Sequence, residues 1–402
     1  MATLLPSCVT MQGGVTAGAG SGEDTLLTFG GSWTTGDLYN VVFTDSQTGV
    51  ETTVGSGEVT GIQPSYVTTF GNRIHFVAGT TWYFSAINVP TVFNDPNGFG
   101  NGFINLTDFY ASPQQTQAFA AYQGRLAVFA RDNIQIWLTD PDPTQFTLVQ
   151  TLENIGTNAP FSVQSIGDLD VFFLYDTGIR SLRVRDSSLN GFIVDIGSPI
   201  DAIIQQALLG LTPAQIASSP STVDPSANRY WLFLTNTIYV LSYFPGSKII
   251  AWSTYSPTYA NGGVQTTFTP QFFFTFQGQV YCRTSDAFYL YGGASNNTFD
   301  NCVASWQTSY LPLKTPGNMK QFRSVGMAMT GSWQFSVSTD PMQGTSTLIF
   351  DSTGLANPNT YDSSRKSFSK RGSHVSFSAV TTDSSAAVFS GFNCSYDVQE
   401  RR

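Results

Sequence analysis

The sequence predicts an all-β chain: a β-propeller of five to six blades, a small antiparallel β-sandwich built from N- and C-terminal strands, and a short helical insertion. The first observation behind this is a loose repeat of turn-plus-strand segments. Four copies begin at Thr68 (TTFGNRIHFVAGTTWYFS), Phe119 (FAAYQGRLAVFARDNIQIWLT), Val163 (VQSIGDLDVFFLYDTGIRSLR) and Phe272 (FFFTFQGQVYCRTSDAFYLYG), and a more degenerate fifth at Val223 (VDPSANRYWLFLTNTIYVLSYF). Their turn anchors, Asn72, Gly124, Asp168, Asn228 and Gly278, lie 52, 44, 60 and 50 residues apart. Paired strands recurring at about 40 to 50 residues mark a propeller. The second observation is the strand pattern. Arg125-Leu126-Ala127-Val128-Phe129 alternates, whereas Val171-Phe172-Phe173-Leu174-Tyr175 is apolar on both faces, as a strand sandwiched between neighbouring sheets would be. The third is composition: 14 % aromatic residues and 37 glycines in 402 residues suit many short strands and turns.

Residues 1–23 end in AGAGSGED and read as a flexible N-terminal arm. The Gly18, Gly20, Gly22 spacing is no phosphate loop, because no strand leads into it and no Lys-Ser/Thr follows. Residues 24–61 form an N-terminal β segment, with strand-like runs in GDLYNVVFTD and GVETTVGSGEV joined by DSQTG; it is assigned to the sandwich. Residues 62–317 are the propeller. Five units are recognisable, and a sixth blade would come from irregular sequence at 86–115 or 294–318. Within it, 199–218 break the β pattern. Ile200, Ile203, Ile204, Ala207 and Leu208 fall on one helical face, started by Ser198-Pro199 and stopped at Gly210. Thr212-Pro213-Ala214-Gln215 then opens a second short helix with a capping box. This excursion either packs on the propeller or contacts a neighbouring subunit. Residues 318–402 are the C-terminal sandwich, where Trp333-Gln334-Phe335-Ser336-Val337 alternates strictly.

Charged residues make up only 11 %, against about 25 % in ordinary soluble proteins. Either the surface is polar but uncharged, or much of it is covered by other subunits. The net charge of −9 argues against gripping nucleic acid by its phosphates, although it is compatible with a channel that DNA passes without sticking. Cys8, Cys282, Cys302 and Cys394 form no CxxC pair and read as reduced structural thiols. The start, MATLLPSCVTMQGG, lacks a basic n-region, so no signal peptide is expected, and the glycosylation-type triplets at Asn105, Asn296 and Asn393 read as chance matches. No run of 18 apolar residues predicts a membrane span.

No catalytic, cofactor-binding or metal-ligating residue can be nominated. His75 reads as a partly exposed strand histidine, and His374 as a solvated turn residue. There is no HExxH, GxSxG, sialidase Asp-box, WD40 or kelch signature. Asp140 and Asp142 in TDPDPT read as a rigid turn rather than a calcium site. Asp168 and Asp170 read as turn and solvent-face residues. Phe272-Phe273-Phe274, with Tyr281, Phe288, Tyr289 and Tyr291, could stack on sugars, but burial between blades accounts for them. Lys366, Lys370, Arg371, Arg401 and Arg402 cluster in what reads as a solvated loop that could meet an acidic partner or DNA in transit.

The units QAFAAYQGRLAVFARDNIQIWLTDPDP and APFSVQSIGDLDVFFLYDTGIRSLRV resemble blades of the tail nozzle proteins of short-tailed phages, also called tail tubular, tail hub or packaged-DNA stabilisation proteins. FRSVGMAM, SKRGSHVSFSAV and AAVFSGFNCSYDV resemble that family's closing sheet. The resemblance spans residues 60–185 best and 318–400 less closely. It implies a homo-oligomeric ring, usually of six subunits, at the distal end of the virion tail. Such a ring sits below an adaptor ring on the portal, conducts the genome during ejection and holds fibres or spikes, and it is assembled in the host cytoplasm. Six copies would carry a formal −54. The family supplies no catalytic residues and implies no cofactor. The alternatives are a receptor- or glycan-binding propeller and, behind it, a glycan-cleaving propeller enzyme.

Overall fold

A computed structural model describes residues 2–5, 9–12, 26–29, 40–44, 51–55, 62–93, 100–109, 114–187, 195–244, 249–261, 264–285, 287–292, 303–342, 345–352, 365–381 and 387–399. The chain is all-β, built of many small antiparallel sheets with three short α-helices among the described residues. It divides into two compact units, one of residues 1–257 with 269–289, the other of 258–268 with 290–402.

The first unit contains five β-meanders at the five repeat positions. Their strands are Tyr66–Phe70, Arg73–Ala78, Thr81–Phe84 and Gly102–Asn105 in the first, and Thr116–Tyr122, Arg125–Ala130, Asn133–Leu138 and Thr147–Glu153 in the second. The third has three strands, Gln164–Ile166, Asp170–Tyr175 and Gly178–Ser181. The fourth has Ser221–Asp224, Arg229–Leu234, Thr237–Phe244 and Ile249–Tyr255; the fifth has Phe272–Phe276, Gln279–Arg283 and Phe288–Leu290. In every case neighbours in sequence are neighbours in the sheet.

Turn chemistry explains the hairpins. The first turns of meanders one, two and five have two residues, both at positive φ: Gly71 and Asn72 (55°, 59°), Gln123 and Gly124 (50°, 69°), Gln277 and Gly278 (50°, 76°). Their twist matches that of the flanking strands. Asn228 is also left-handed, at 51°. Asp168 is not; its neighbour Gly167 takes the positive φ, and Asp168 is used differently, as described below.

The meanders stack face to face in chain order. Val77, Trp82 and Phe84 of the first share a buried cluster with Phe119, Leu126, Val128 and Trp137 of the second. The opposite face of the second, with Ala118, Tyr122, Phe129 and Ile136, packs on Val171 and Phe173 of the third. Leu174 and Ile179 of the third meet Tyr230, Leu232 and Leu241 of the fourth. Trp231, on the fourth's other face, meets Phe273 of the fifth edge-on at 6.2 Å. An interior sheet therefore buries both faces, which is why its strands are apolar at consecutive positions. The first strand of each meander runs beside the first strand of the next. Hydroxyls donating to backbone carbonyls tie the meanders: Ser165 Oγ to Ala121 O (3.0 Å) and Thr275 Oγ1 to Val223 O (2.8 Å) between first strands, and Ser221 Oγ to Phe161 O (2.6 Å) in the 3-10 turn that leads into the third meander. Such neutral ties satisfy buried polar groups without the cost of burying charge. They account for part of the low charge content.

Helix α1, Leu182–Ser187, follows the third meander and was not foreseen from sequence. Helix α2, Asp201–Leu209, starts two residues after the expected Pro199 and ends at Gly210 as predicted. Helix α3, Pro213–Ala217, has the expected capping box between Thr212 and Gln215. Ile204 of α2 is fully buried, with Ile200 and Leu208 beside it on the third–fourth cluster. Ile203, expected on the same face, is instead 55 % exposed. The insertion thus packs on its own chain.

The N-terminal strands differ from expectation. Residues 1–23, read as an arm, include strands Ala2–Leu5 and Val9–Gln12; the rest of that segment lies outside the described residues. Ala2–Leu5 pairs with Asn40–Thr44, which pairs with Glu51–Gly55, and Val9–Gln12 pairs with Leu26–Phe29. None of these pairings reaches the C-terminal strands.

The second unit holds a two-sheet sandwich. One sheet orders strands Ser305–Gln307, Ser376–Thr381, Trp333–Ser338 and Thr347–Asp351; the other orders Lys366–Gly372, Lys320–Thr330 and Val388–Val398. Trp333, Phe335 and Val337 point to one core, as their alternation predicted, against Phe322, Val325, Met327 and Met329 from the facing sheet. Strands from 305–398 line this core, and among the described pairings none joins the 24–61 segment to it. Because Ser305–Gln307 pairs with Ser376–Thr381, the sandwich begins before the expected boundary at 317/318.

Candidate functional site

The residues singled out from sequence fall into structural roles. His75 is not partly exposed but buried, at 1 % exposure. Trp82 Nε1 donates to its Nδ1 at 3.1 Å, so its proton sits on Nε2 and is donated to Phe70 O at 3.0 Å. Burial, and then the Arg73 charge, push its pKa down to about 4 against the pull of the Phe70 carbonyl, so it is a neutral pin at ordinary pH. Arg73 is itself buried, with its guanidinium over the Phe84 and Phe146 rings (5.6 and 5.3 Å) and Nη2 donating to Pro141 O.

That carbonyl lies in the TDPDPT turn. Asp140 Oδ1 accepts from Asp142 N at 2.9 Å, and Asp142 caps a single 3-10 turn by accepting from Thr144 N and Oγ1. Both carboxylates serve the turn.

Asp168 and Asp170 do more than face solvent. Asp168 Oδ1 accepts from Gly124 N (2.8 Å) and its carbonyl from Gln123 N (3.0 Å), so it fastens the turn of the second meander to that of the third. Asp170 is half-buried and joins a network around the start of α1. It accepts from Ser181 Oγ (2.6 Å) and Arg183 N (3.0 Å), while Ser181 Oγ accepts from Val184 N. Asp195, 4 % exposed, accepts from Ser181 N, Ile196 N and Arg185 Nε. Burial raises the pKa of both carboxyls, and the charge of Asp195 adds to the rise at Asp170. Beside them Arg180 makes a two-pronged pair with Asp201 at 2.8 and 3.0 Å. Every carboxylate oxygen of Asp170 and Asp195 already has a donor, so the network braces the helical insertion. Asp170 and Asp195 lie 11 and 14 residues from Ser181, so no local motif announces the network.

A cleft of about 440 Å³ lies between the third meander and α2–α3, lined by Leu174, Tyr175, Leu208 and Ile216 among others. Asp176, its carboxylate, accepts from Asn158 Nδ2 at 3.0 Å. No acid–base pair faces into it. Among the described residues no group of three His, Cys, Asp or Glu side chains gathers to hold a metal. Cys282 and Cys394 are free thiols whose pKa burial pushes up, to about 12 and about 11. Cys8 and Cys302 lie outside the described residues. No described helix is long and apolar enough to cross a membrane.

The C-terminal basic cluster sits on a strand, not a loop. Lys366 Nζ lies 4.9 Å from the centre of the Phe350 ring, while Arg365 and Arg371 are exposed; Arg401 and Arg402 lie outside the described residues. His374, half-buried, shares a hydrogen bond between its Nδ1 and Ser373 Oγ at 2.9 Å. Sequence reading missed Lys320. It is fully buried, with Nζ donating to the carbonyls of Thr315, Asn318 and Ser373.

The aromatic run of the fifth meander corrects the expectation of burial. Phe273 is buried, but Phe272, Phe276 and Phe288 are 46, 49 and 60 % exposed. Phe274 stacks on Tyr281 at 5.1 Å with Phe288 edge-on to it, giving one open aromatic face. The fifth meander is the last of the described stack.

No family model and no curated protein matches the chain. Solved structures similar in part include a candidate 6-phosphogluconolactonase of Bacteroides uniformis, at 13 % identity and a TM-score of 0.37, covering 69 % of this chain and 89 % of that one. The extracellular domain of a one-component system of B. thetaiotaomicron matches at 10 % identity and a TM-score of 0.32, over 78 % of this chain and 44 % of that one. Kluyveromyces lactis Hsv2 matches at 8 % identity and a TM-score of 0.29, over 58 % and 70 %. At these scores the likenesses support no inference about function.

Proposed function

We propose that this chain is a non-enzymatic structural protein of a virion: the tail nozzle, or hub, subunit of a short-tailed phage. In this reading the five meanders are propeller blades, their adjoining first strands line the blades' inner edge, and the C-terminal sandwich is a separate module. Copies assemble into a ring, a hexamer by family likeness, that passes DNA without retaining it. An adaptor on the portal side and fibres or spikes on the outer side are the partners. The observation that carries the reading is the stack of five meanders at the positions of the repeat, the first three of them within the 60–185 segment that resembles nozzle blades. The low charge content and the net −9 are in keeping with subunit interfaces and a non-adhesive conduit. The test is light scattering with negative-stain imaging of the purified full-length chain, and of virions labelled with an antibody to it. Rings and tail-tip labelling are expected; a protein that stays monomeric at every concentration and is absent from particles overturns the proposal.

The second reading, a receptor- or glycan-binding propeller, is favoured by one observation, the open aromatic face of Phe272, Phe276 and Phe288. It requires saturable binding of host-envelope polysaccharide that Phe288→Ala weakens.

A further inference from the structure

The cleft between the third meander and helices α2–α3 has a lining of two kinds. Leu174, Leu208 and Ile216 give it an apolar wall, and Asn158, Asp176 and Gln205 give it a polar one. Its volume of about 440 Å³ falls within the roughly 300–1,000 Å³ of small-ligand sites. Hydrogen bonds fix how the two amides are turned. Asn158 Nδ2 donates to Asp176 Oδ1 and Gln205 Nε2 donates to Thr177 O, each at 3.0 Å. A carboxylate and a carbonyl only accept, so the amide nitrogens are committed to them. Asn158 Oδ1, Gln205 Oε1 and Asp176 Oδ2 are then left without a partner among the described residues.

Charge around the cleft points the same way. Thr177 Oγ1 accepts from Arg180 Nη2, but that guanidinium is already paired with Asp201. Among the described residues no cation pairs with Asp176. Burial raises the pKa of Tyr175, which also lines the cleft; the charges of Asp132 and Asp176 add to the rise, and Arg131 and Arg185 oppose it. The polar wall is therefore rich in acceptors and carries an uncompensated negative charge.

We propose that this cleft binds an aliphatic primary ammonium, with the carbon chain along Leu174, Leu208 and Ile216 and the ammonium on Asp176 and the two amide oxygens. An ammonium has three N–H donors and no acceptor, the complement of three free oxygens of which one is charged. Its alkyl stem lies on apolar surface while the charged end stays in polar surroundings, as lysine stems do. An anion would meet Asp176 with no free cation to hold it. A free polyamine and a lysine side chain of a partner offer the same chemistry. The proposal does not rest on the nozzle reading.

The test titrates the full-length chain with diaminopentane, with Nα-acetyl-lysine amide and with uncharged pentanediol, followed by calorimetry and by methyl NMR. Both amines should saturate and shift the methyls of Leu174, Leu208 and Ile216. Asp176→Asn, a change at an exposed position, should weaken them about tenfold, and added salt should weaken them further. Tighter binding of diaminopentane assigns the site to a free polyamine; equal or tighter binding of the lysine amide assigns it to a partner's lysine. Heats that never saturate, an affinity unchanged by Asp176→Asn, or pentanediol bound as tightly as the diamine each overturn the proposal.

Discussion

The meander stack and the C-terminal sandwich bury similar side chains by opposite means. In the sandwich two sheets close on one core, and its strands alternate because only one face is covered. In the stack each interior sheet is half of two cores, so its strands are apolar at successive positions and its stability is borrowed from neighbours. Charge follows the same division. Residues 290–402 carry 9 Lys/Arg against 7 Asp/Glu, a net +2, whereas the first unit carries 9 against 20, a net −11. A closed core can be decorated freely on its outside. A stack has little outside to decorate, and its acids are drawn into turns and braces such as Asp142, Asp168 and Asp195.

The comparison is broken most directly by emptying each core in turn. Phe129→Ala and Phe335→Ala each remove a fully buried ring and should cost about 3–5 kcal/mol. By limited proteolysis of the full chain, Phe129→Ala should expose the second and third meanders while 303–399 stay protected, and Phe335→Ala the reverse. Loss of protection in both regions from either variant would mean the two cores are not separate.

Acid should sharpen the contrast next. The folded pKa of His75 is lowered to about 4 from 6.5, so its contribution is fully present above pH 6.5 and is lost as pH falls toward 4. The shift corresponds to about 3 kcal/mol at the acid end. Asp170 and Asp195 act with the opposite sign: their raised folded values mean a contribution fully present below the unfolded pKa of 3.8 and lost as pH rises through the folded value. Chemical denaturation of His75→Gln between pH 7 and 4 should therefore show a flatter acid limb in the first meander. A limb as steep as that of the unaltered chain would remove His75 as its cause.

The smallest expected effect is at the inter-meander staple. Asp168→Ala frees the Gly124 amide at an exposed turn and should cost about 1 kcal/mol, read as a small fall in Tm with unchanged sandwich protection. An undiminished Tm would show that apolar packing alone holds the second meander to the third.

Much of this was legible in the sequence because it is local. Gly71-Asn72, Gln123-Gly124 and Gln277-Gly278 announce two-residue hairpins by chemistry that needs no distant partner, and the Thr212–Gln215 capping box lies within four residues. What escaped depends on contacts made across the chain. Asp168 reaches a turn 44 residues away, and Lys320 finds one of its carbonyls 53 residues on. His75 looked half-exposed because alternation cannot show which face the neighbouring sheet covers. The aromatic run at Phe272 reads the same whether it lies inside the stack or at its end; only the order of sheets distinguishes these.

The ties between successive meanders have one more consequence. Ser165, Ser221 and Thr275 hold their neighbours by neutral hydroxyls donating to carbonyls, not by ion pairs. Dissolved salt screens charges but leaves such bonds almost untouched. These ties between meanders should hold alike in brine and in nearly pure water.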